Sequence, residues 1–239
     1  MKKKFILGFA FITLNFFSNA QVFILGGKGM LNGTWLLNDN VNFGLAKADK
    51  EFTFGMQGGA YLRYYFNEAT YYSNTNVSLA IELMFNNYGQ KYKGNYSDGT
   101  SGYSFTSKVS VSSLDIPIMV HIRGQAGLYG EFGVSFGMIN GVKMDYSQDP
   151  SDTIFSNFSG KSVDESFSKN NFSGIFGFGI DSELSETLLM TTGFRLTYGF
   201  TDLTEPQKNN YPDYMATHSA SIGFVLGFAY IINFYHDHH

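Results

Sequence analysis

EFTFGMQGGAYLRYYF, residues 51–66, alternates in two-residue steps from end to end. Phe52, Phe54, Met56, Gly58, Ala60, Leu62, Tyr64 and Phe66 fall on one face. Glu51, Thr53, Gly55, Gln57, Gly59, Tyr61, Arg63 and Tyr65 fall on the other. A period of two is the mark of a β-strand, and this run is long enough to cross a bilayer at a tilt. The pattern recurs about eight times with turn-forming segments between, which is the pattern of a transmembrane β-barrel.

Working outward, the chain starts with a secretory signal. Lys2, Lys3 and Lys4 are followed by a mostly apolar stretch from Phe5 to Phe17 and by the small-residue site Ser18-Asn19-Ala20. The expected domains are therefore a signal peptide, 1–20, and a single barrel, 21–239. Cysteine is absent, which excludes disulfides, thiolate metal sites and an N-terminal lipid on Cys. Without the signal, Lys+Arg falls from 16 to 13 against 20 Asp+Glu, a net charge of −7 in place of −4. An acidic chain with no basic cluster argues against a nucleic-acid partner.

The first strand is expected from Val22 to about Asn32, with a polar loop to about Lys50. The quoted stretch is the second. In the third, Val77, Leu79, Ile81, Leu83 and Phe85 oppose Ser78, Ala80, Glu82, Met84 and Asn86. A Gly/Ser/Tyr-rich loop is expected at about Lys93 to Thr106. The fourth strand changes phase at Ser112-Ser113, which predicts a β-bulge there. The fifth runs through Leu128 to Met138, and the longest loop is expected at about Asp145 to Asn170. Strands six, seven and eight carry Phe172 to Asp181, Leu188 to Phe200, and Ser221 to Tyr230. Loops alternate long and short, which predicts long outer loops, short periplasmic turns and both termini on the periplasmic side.

A soluble ligand-holding barrel would have the same strand count, but the faces discriminate. An eight-stranded interior is just wide enough for side chains to fill it. The bulky face carries Phe, Leu, Ile or Tyr on almost every strand, too much to enclose, so it is expected to face lipid. The other face gathers Lys28, Arg63, Glu82, Asp115, Glu131 and Arg195 in a narrow lumen. Unpaired, these would cost several kcal/mol each, so a mixed-sign network is expected. The groupings considered are Arg63 with Glu82, and Arg195 with Glu131 or Asp115. Structural filling is the main reading of that network, and a gated ion path the sharper one.

Two segments carry a family resemblance. Leu114-Asp115-Ile116-Pro117-Ile118 resembles a strand of the PorT-like outer-membrane β-barrel family of Bacteroidota. Phe194-Arg195-Leu196-Thr197-Tyr198-Gly199-Phe200-Thr201-Asp202-Leu203 is similar to that family's penultimate strand and the turn after it. The glycine-rich Gly26-Gly27-Lys28-Gly29 resembles its first strand. These motifs mark barrel positions and no chemistry. The resemblance implies an outer-membrane location within the porin-like barrels; the family's named member belongs to the machinery of type IX secretion, most relatives have no assigned role, and this chain reads as a generic relative.

Candidate chemistry is sparse. His236, His238 and His239 could bind a transition metal, but a tail supplies no fixed geometry, and a solvated tail is the main reading. His218, Ser219 and Asp202 are the one triad-like set near the outer rim. Exposed aromatics offer girdle residues or binding anchors: Trp35, Tyr96, Tyr103, Phe155, Phe158 and Tyr211. The expectation is a non-enzymatic outer-membrane barrel with no cofactor, embedded in outer-membrane lipid. It would act as a scaffold or as an accessory subunit docked on a larger outer-membrane complex. The alternatives are a narrow ion channel and a loop-based adhesin.

Overall fold

Alternation of large apolar and small polar residues lets every strand bury one face and leave the other apolar. The computed structural model describes residues 22–37, 42–43, 46–65, 75–97, 102–149, 157–206 and 214–233. The strands are β1 (Val22–Leu37), β2 (Asn42–Phe43), β3 (Ala46–Glu51), β4 (Thr53–Tyr65), β5 (Thr75–Ser97), β6 (Gly102–Gly124), β7 (Leu128–Asp149), β8 (Phe158–Ser162), β9 (Asn170–Glu183), β10 (Leu188–Gly199) and β11 (His218–Asn233). Among the described residues, eight of them close an antiparallel ring in the order β1-β4-β5-β6-β7-β9-β10-β11, with β11 pairing back onto β1.

The ring is staggered. From Asn32 the cross-strand partners run Gly223, Arg195, Gly177, Glu131, His121, Ser78 and Tyr65, and return to β1 at Val22. One circuit thus descends ten residues, from 32 to 22, the stagger that tilted strands need to close a barrel. The lower end carries Val22 and the tight β6–β7 turn. There Gly127 adopts φ +77, and a Cβ on it would meet the Asp181 carbonyl at 2.4 Å, so a side chain is excluded on both counts.

The faces fall as the alternation requires. Phe54 is 78% exposed and Leu31 and Phe85 each 67%, whereas Arg63 and Arg195 are each 1% exposed. The exposed apolar residues form a belt around all eight barrel strands. Aromatic contacts rim it, with Phe23 and Tyr64 at the lower end (5.1 Å) and Trp35, Phe52 and Phe54 at the upper (5.7 and 4.9 Å). No described helix is long and apolar enough to cross a membrane.

The bulge appears where the phase change puts it, as a register shift between Ser112 and Ser113. Several loop expectations are corrected. β1 continues to Leu37, past Asn32. The polar stretch before Lys50 contains β2 and β3. The segment from Lys93 to Thr106 is not one long loop, since β5 and β6 pair from Thr75–Gly124 up to Ser97–Gly102. β7 extends to Asp149, and the stretch from Asp145 to Asn170 also holds β8 and a 3-10 turn, Asp164–Ser166. These polar segments alternate without a bulky face, so hydrophobic periodicity does not flag them as strands. They form a six-stranded sheet, β2-β3-β5-β6-β7-β8, that runs past the apolar belt. Its own small core is Ala48, Tyr92 and Phe105, with Tyr146 stacked on Phe105 at 6.2 Å.

Candidate functional site: the filled lumen

The inward positions of the ring meet in a column of four layers. At the bottom Val22, Ile24, Tyr61, Tyr65, Leu189, Ala229 and Ile231 make an apolar plug. Above it sits an ion-pair core. Arg195 donates from Nε and Nη2 to Glu131 Oε1 (2.8 and 2.6 Å). The same guanidinium donates from Nη1 and Nη2 to Glu82 Oε2 and Oε1 (2.7 and 2.9 Å). Lys28 Nζ donates to Glu82 at 2.6 Å and lies 4.0 Å from Glu131. Lower down, Arg63 Nη1 donates to Asp181 Oδ2 (2.6 Å), and Thr191 Oγ1 donates to Asp181 Oδ1 (2.6 Å). His121 joins the two groups, with Nε2 at 3.0 Å from Asp181 and Nδ1 at 3.6 Å from Glu131, while its ring stacks on Tyr129 at 4.6 Å. Only the shorter of these His121 contacts is a hydrogen bond.

Three cations, Lys28, Arg63 and Arg195, thus meet three carboxylates, Glu82, Glu131 and Asp181, all nearly free of solvent. Each carboxylate accepts at least two hydrogen bonds, both of those at Glu131 coming from Arg195, the condition under which buried charges are tolerated. Of the expected groupings, Arg195 with Glu131 is formed and Arg63 with Glu82 is not. Arg63 does not pair with Glu82, because the β4–β5 register sets Arg63 against Ala80 and Tyr61 against Glu82. Arg195 does not reach Asp115, because its fork is taken up by Glu82 and Glu131. Asp115 stands apart, accepting from Asn86 Nδ2 (2.8 Å) and Ser113 Oγ (2.7 Å). Asp181 and His121 are the members that the sequence reading missed. Both lie on the inward face of their strands, so the alternation alone could have brought them in.

The third layer is polar and contains Asp115, Asn86, Asn32, Ser135 and Asn171. The fourth closes the upper mouth. Leu36, Tyr88, Val111, Val142 and Leu203 pack together there, flanked by Val109, Ile139, Val163 and Phe167. Two loop segments supply Val163, Phe167 and Leu203, and backbone bonds hold them in place. Ser168 N–H donates to the Leu203 carbonyl (2.8 Å) and Leu203 N–H to that of Thr217 (2.8 Å).

Carboxylates outside the belt act as loop staples. Asp164 accepts from Val142 N–H and Ser162 Oγ, and these bonds hold it below the ordinary carboxylate range. Asp145 is lowered in the same way by Gly160 N–H and Ser159 Oγ. At Asp202, partial burial acts upward, but bonds from Tyr214 and from the N–H groups of Thr217 and Thr204 outweigh it and lower it. Burial, with the bond to Asp202, pushes the Tyr214 hydroxyl up to about 12.

The triad-like set does not assemble. Asp202 is bonded to Tyr214, Thr204 and Thr217, Ser219 Oγ accepts from Asn171, and His218 stacks on Tyr198 at 5.9 Å. Of the aromatic candidates, Trp35 lies in β1 against Phe52, and Tyr103 is half-buried in β6. Tyr96 pairs with Tyr103 in the β5–β6 ladder, so neither is a loop residue. Phe158 lies in β8, stacked on Tyr146 and under Lys161. Phe155, Tyr211 and the terminal His236, His238 and His239 lie outside the described residues. A depression of about 760 Å³ lies on the outer wall among Trp35, Phe176, Leu196, Tyr198 and Ile222, on the apolar belt and away from the lumen chemistry.

Residues 17–205 match the family model described as "Outer membrane protein beta-barrel domain". No curated protein matches the sequence. Among solved structures, the chain is similar to Neisserial surface protein A (11% identity, TM-score 0.38, covering 86% of this chain and 95% of that one). It is also similar to the outer membrane protein OprG from Pseudomonas aeruginosa (12%, 0.30, 90% and 96%). A third is Ail, the attachment invasion locus protein of Yersinia pestis (14%, 0.35, 90% and 99%).

Proposed function

Since the chain belongs to the outer membrane protein β-barrel family, we propose that it is a non-enzymatic scaffold of the bacterial outer membrane that presents its projecting sheet to a protein partner. The observation that carries this reading is the contrast between a lumen closed by an apolar plug, an ion-pair core and an apolar cap and a sheet that continues past the apolar belt. A closed lumen offers no route for solute. The ion-pair core and the apolar cap would both have to be dismantled to make one. The sheet β2-β3-β5-β6-β7-β8, by contrast, puts charged side chains on its outer surface, including Asp49, Lys93, Lys108, Lys143 and Asp149. Alternating charges of both signs favour a specific protein face over a generic polyanion.

In this reading the short turns and both termini lie on the periplasmic side and the sheet lies outside. The chain would serve as an accessory subunit of a larger outer-membrane assembly. The Leu114–Ile118 and Phe194–Leu203 segments support placing it with the PorT-like branch of Bacteroidota barrels.

The test removes residues 93–106 and closes the hairpin below them. Proteins cross-linked to the intact chain in native outer membranes would be lost, while the heat-dependent gel shift of a folded barrel would persist. Retention of the same cross-links would overturn the reading. The channel alternative predicts discrete conductance in planar bilayers, and the scaffold reading predicts none.

A further inference from the structure

The third layer of the lumen differs from those around it. Four residues above Lys28, Glu82 and Glu131 on the rising strands β1, β5 and β7 stand Asn32, Asn86 and Ser135. Asp115 and Asn171 enter the same layer from β6 and β9. The adjoining inward positions are glycines, and the side-chain oxygens lie over them. A Cβ on Gly223 would meet Asn32 Oδ1 at 2.2 Å, one on Gly137 would meet Asp115 Oδ1 at 2.5 Å, and one on Gly199 would meet Asn171 Oδ1 at 2.9 Å. These oxygens take the space that side chains at the glycine positions would fill.

Asn32 Oδ1, Asn86 Oδ1 and Ser135 Oγ are buried without a hydrogen bond among the described residues, and Asn171 Oδ1 and the Tyr88 hydroxyl have no partner but each other's side chain. Asn32, Ser135, Tyr88 and Asn171 are each more than nine-tenths buried, at 2, 3, 5 and 8% exposure. Two of the amide orientations are fixed by their nitrogens, because Asn86 Nδ2 donates to Asp115 and Asn171 Nδ2 donates to Ser219 Oγ. Tyr88 lies within interaction range of both Asp115 and Asn171. Buried polar atoms left unmet cost free energy, so these oxygens, in the layer that holds Asp115, call for an occupant.

The charge of that occupant follows from the neighbours. In the ion-pair core below, Lys28, Arg63 and Arg195 balance Glu82, Glu131 and Asp181. Among the described residues no cationic side chain lies within ion-pair distance of Asp115, whose two bonds come from neutral donors. One carboxylate and several neutral oxygens match a single positive charge. A divalent ion would leave a net charge in a low-dielectric interior. Oxygen-only ligation selects a hard cation.

We propose that this layer is an occluded site for a monovalent metal cation of sodium type, with Asp115 as its charged ligand and the Asn32, Asn171, Ser135 and Tyr88 oxygens as neutral ligands. The apolar cap closes it above and the ion-pair core below, so exchange requires the cap to open. The ion neutralises Asp115 and satisfies the orphaned oxygens together.

The experiment compares the thermal unfolding of the detergent-solubilised full chain in sodium chloride and in choline chloride at equal ionic strength. The intact chain is expected to unfold several degrees higher in sodium, and Asp115→Asn to unfold at the same temperature in both salts. Crystals grown in rubidium chloride should show an anomalous peak beside Asp115. Equal unfolding of the intact chain in both salts overturns the proposal, as does a sodium shift that survives in Asp115→Asn. A chamber filled with ordered water and devoid of anomalous signal overturns it as well. Should Asp115→Asn fail to fold, Ser135→Ala and the rubidium peak in the intact chain decide: a weaker sodium shift with a peak supports the site, and an unchanged shift without one ends it.

Discussion

The middle of the lumen and its upper mouth are both filled, but by opposite chemistries. In the middle, Arg195 and Lys28 both tie Glu82 to Glu131, and His121 links them to the Arg63–Asp181 pair. At the mouth, Leu203, Val142, Val111, Leu36 and Tyr88 pack with no charge among them. The ionic region rests on shared partners, so removing one member strands several others. The apolar region rests on many small contacts delivered by loops, so it can loosen in parts. A barrel whose outer wall faces lipid has little apolar bulk left for its inside. It uses charge where the strands hold side chains rigidly, and apolar closure where loops can fold over.

Arg195→Ala is the hardest test of that contrast. It leaves Glu82 and Glu131 with Lys28 as their shared cation, and breaking a buried pair in this way costs about 3–5 kcal/mol. A lowered urea midpoint, or loss of the heat-dependent gel shift, is expected; an unchanged midpoint would mean that the core is not cooperative. Leu203→Ala should cost less, about 2 kcal/mol, the lower end for a buried leucine, because its loop can settle into the space. Its effect should be local, seen as faster amide exchange at Ser168 and Leu203 with the barrel amides unchanged. Loss of the whole barrel would erase the distinction between the two regions.

Acid probes the carboxylate staples outside the belt. Asp145, Asp164 and Asp202 are held below the ordinary value of 3.8, so their contribution is complete above that value and is lost as pH falls through the folded-state values. The N–H groups they accept from, on Val142, Gly160, Thr204 and Thr217, should lose protection near pH 3 relative to pH 6, after correction for intrinsic exchange, while mid-strand amides do not. Equal behaviour of both sets would refute the staple role. The smallest effect belongs to Lys91→Ala. Its 2.6 Å pair with Glu51 is built like the lumen pairs but is solvated, with Lys91 41% and Glu51 36% exposed. Its unfolding midpoint should stay within the scatter of the measurement.

The fold was legible because lipid and lumen impose opposite demands on alternate residues. Strand faces, the bulge at Ser112-Ser113 and the outward aromatic belt follow from that alone. The projecting sheet was not legible. Beyond the belt both faces of β5, β6 and β7 meet water or a small local core, so Lys93 to Thr106 shows polar composition without a bulky period. The cap was hidden for a related reason, since Leu203, Val163 and Phe167 are single apolar residues in polar loops.

The sequence by itself determined which residues point inward, and so which charges share the lumen. Which charge meets which was decided by closure. Arg63 and Glu82 are on neighbouring strands, yet Arg63 pairs with Asp181, 118 residues away, because the ten-residue stagger brings β9 to its height across the lumen. Alternation is a property of one strand, and stagger is a property of the whole ring. The partners of Arg63, the isolation of Asp115 and the orphaned oxygens in its layer exist only once the last strand has paired with the first.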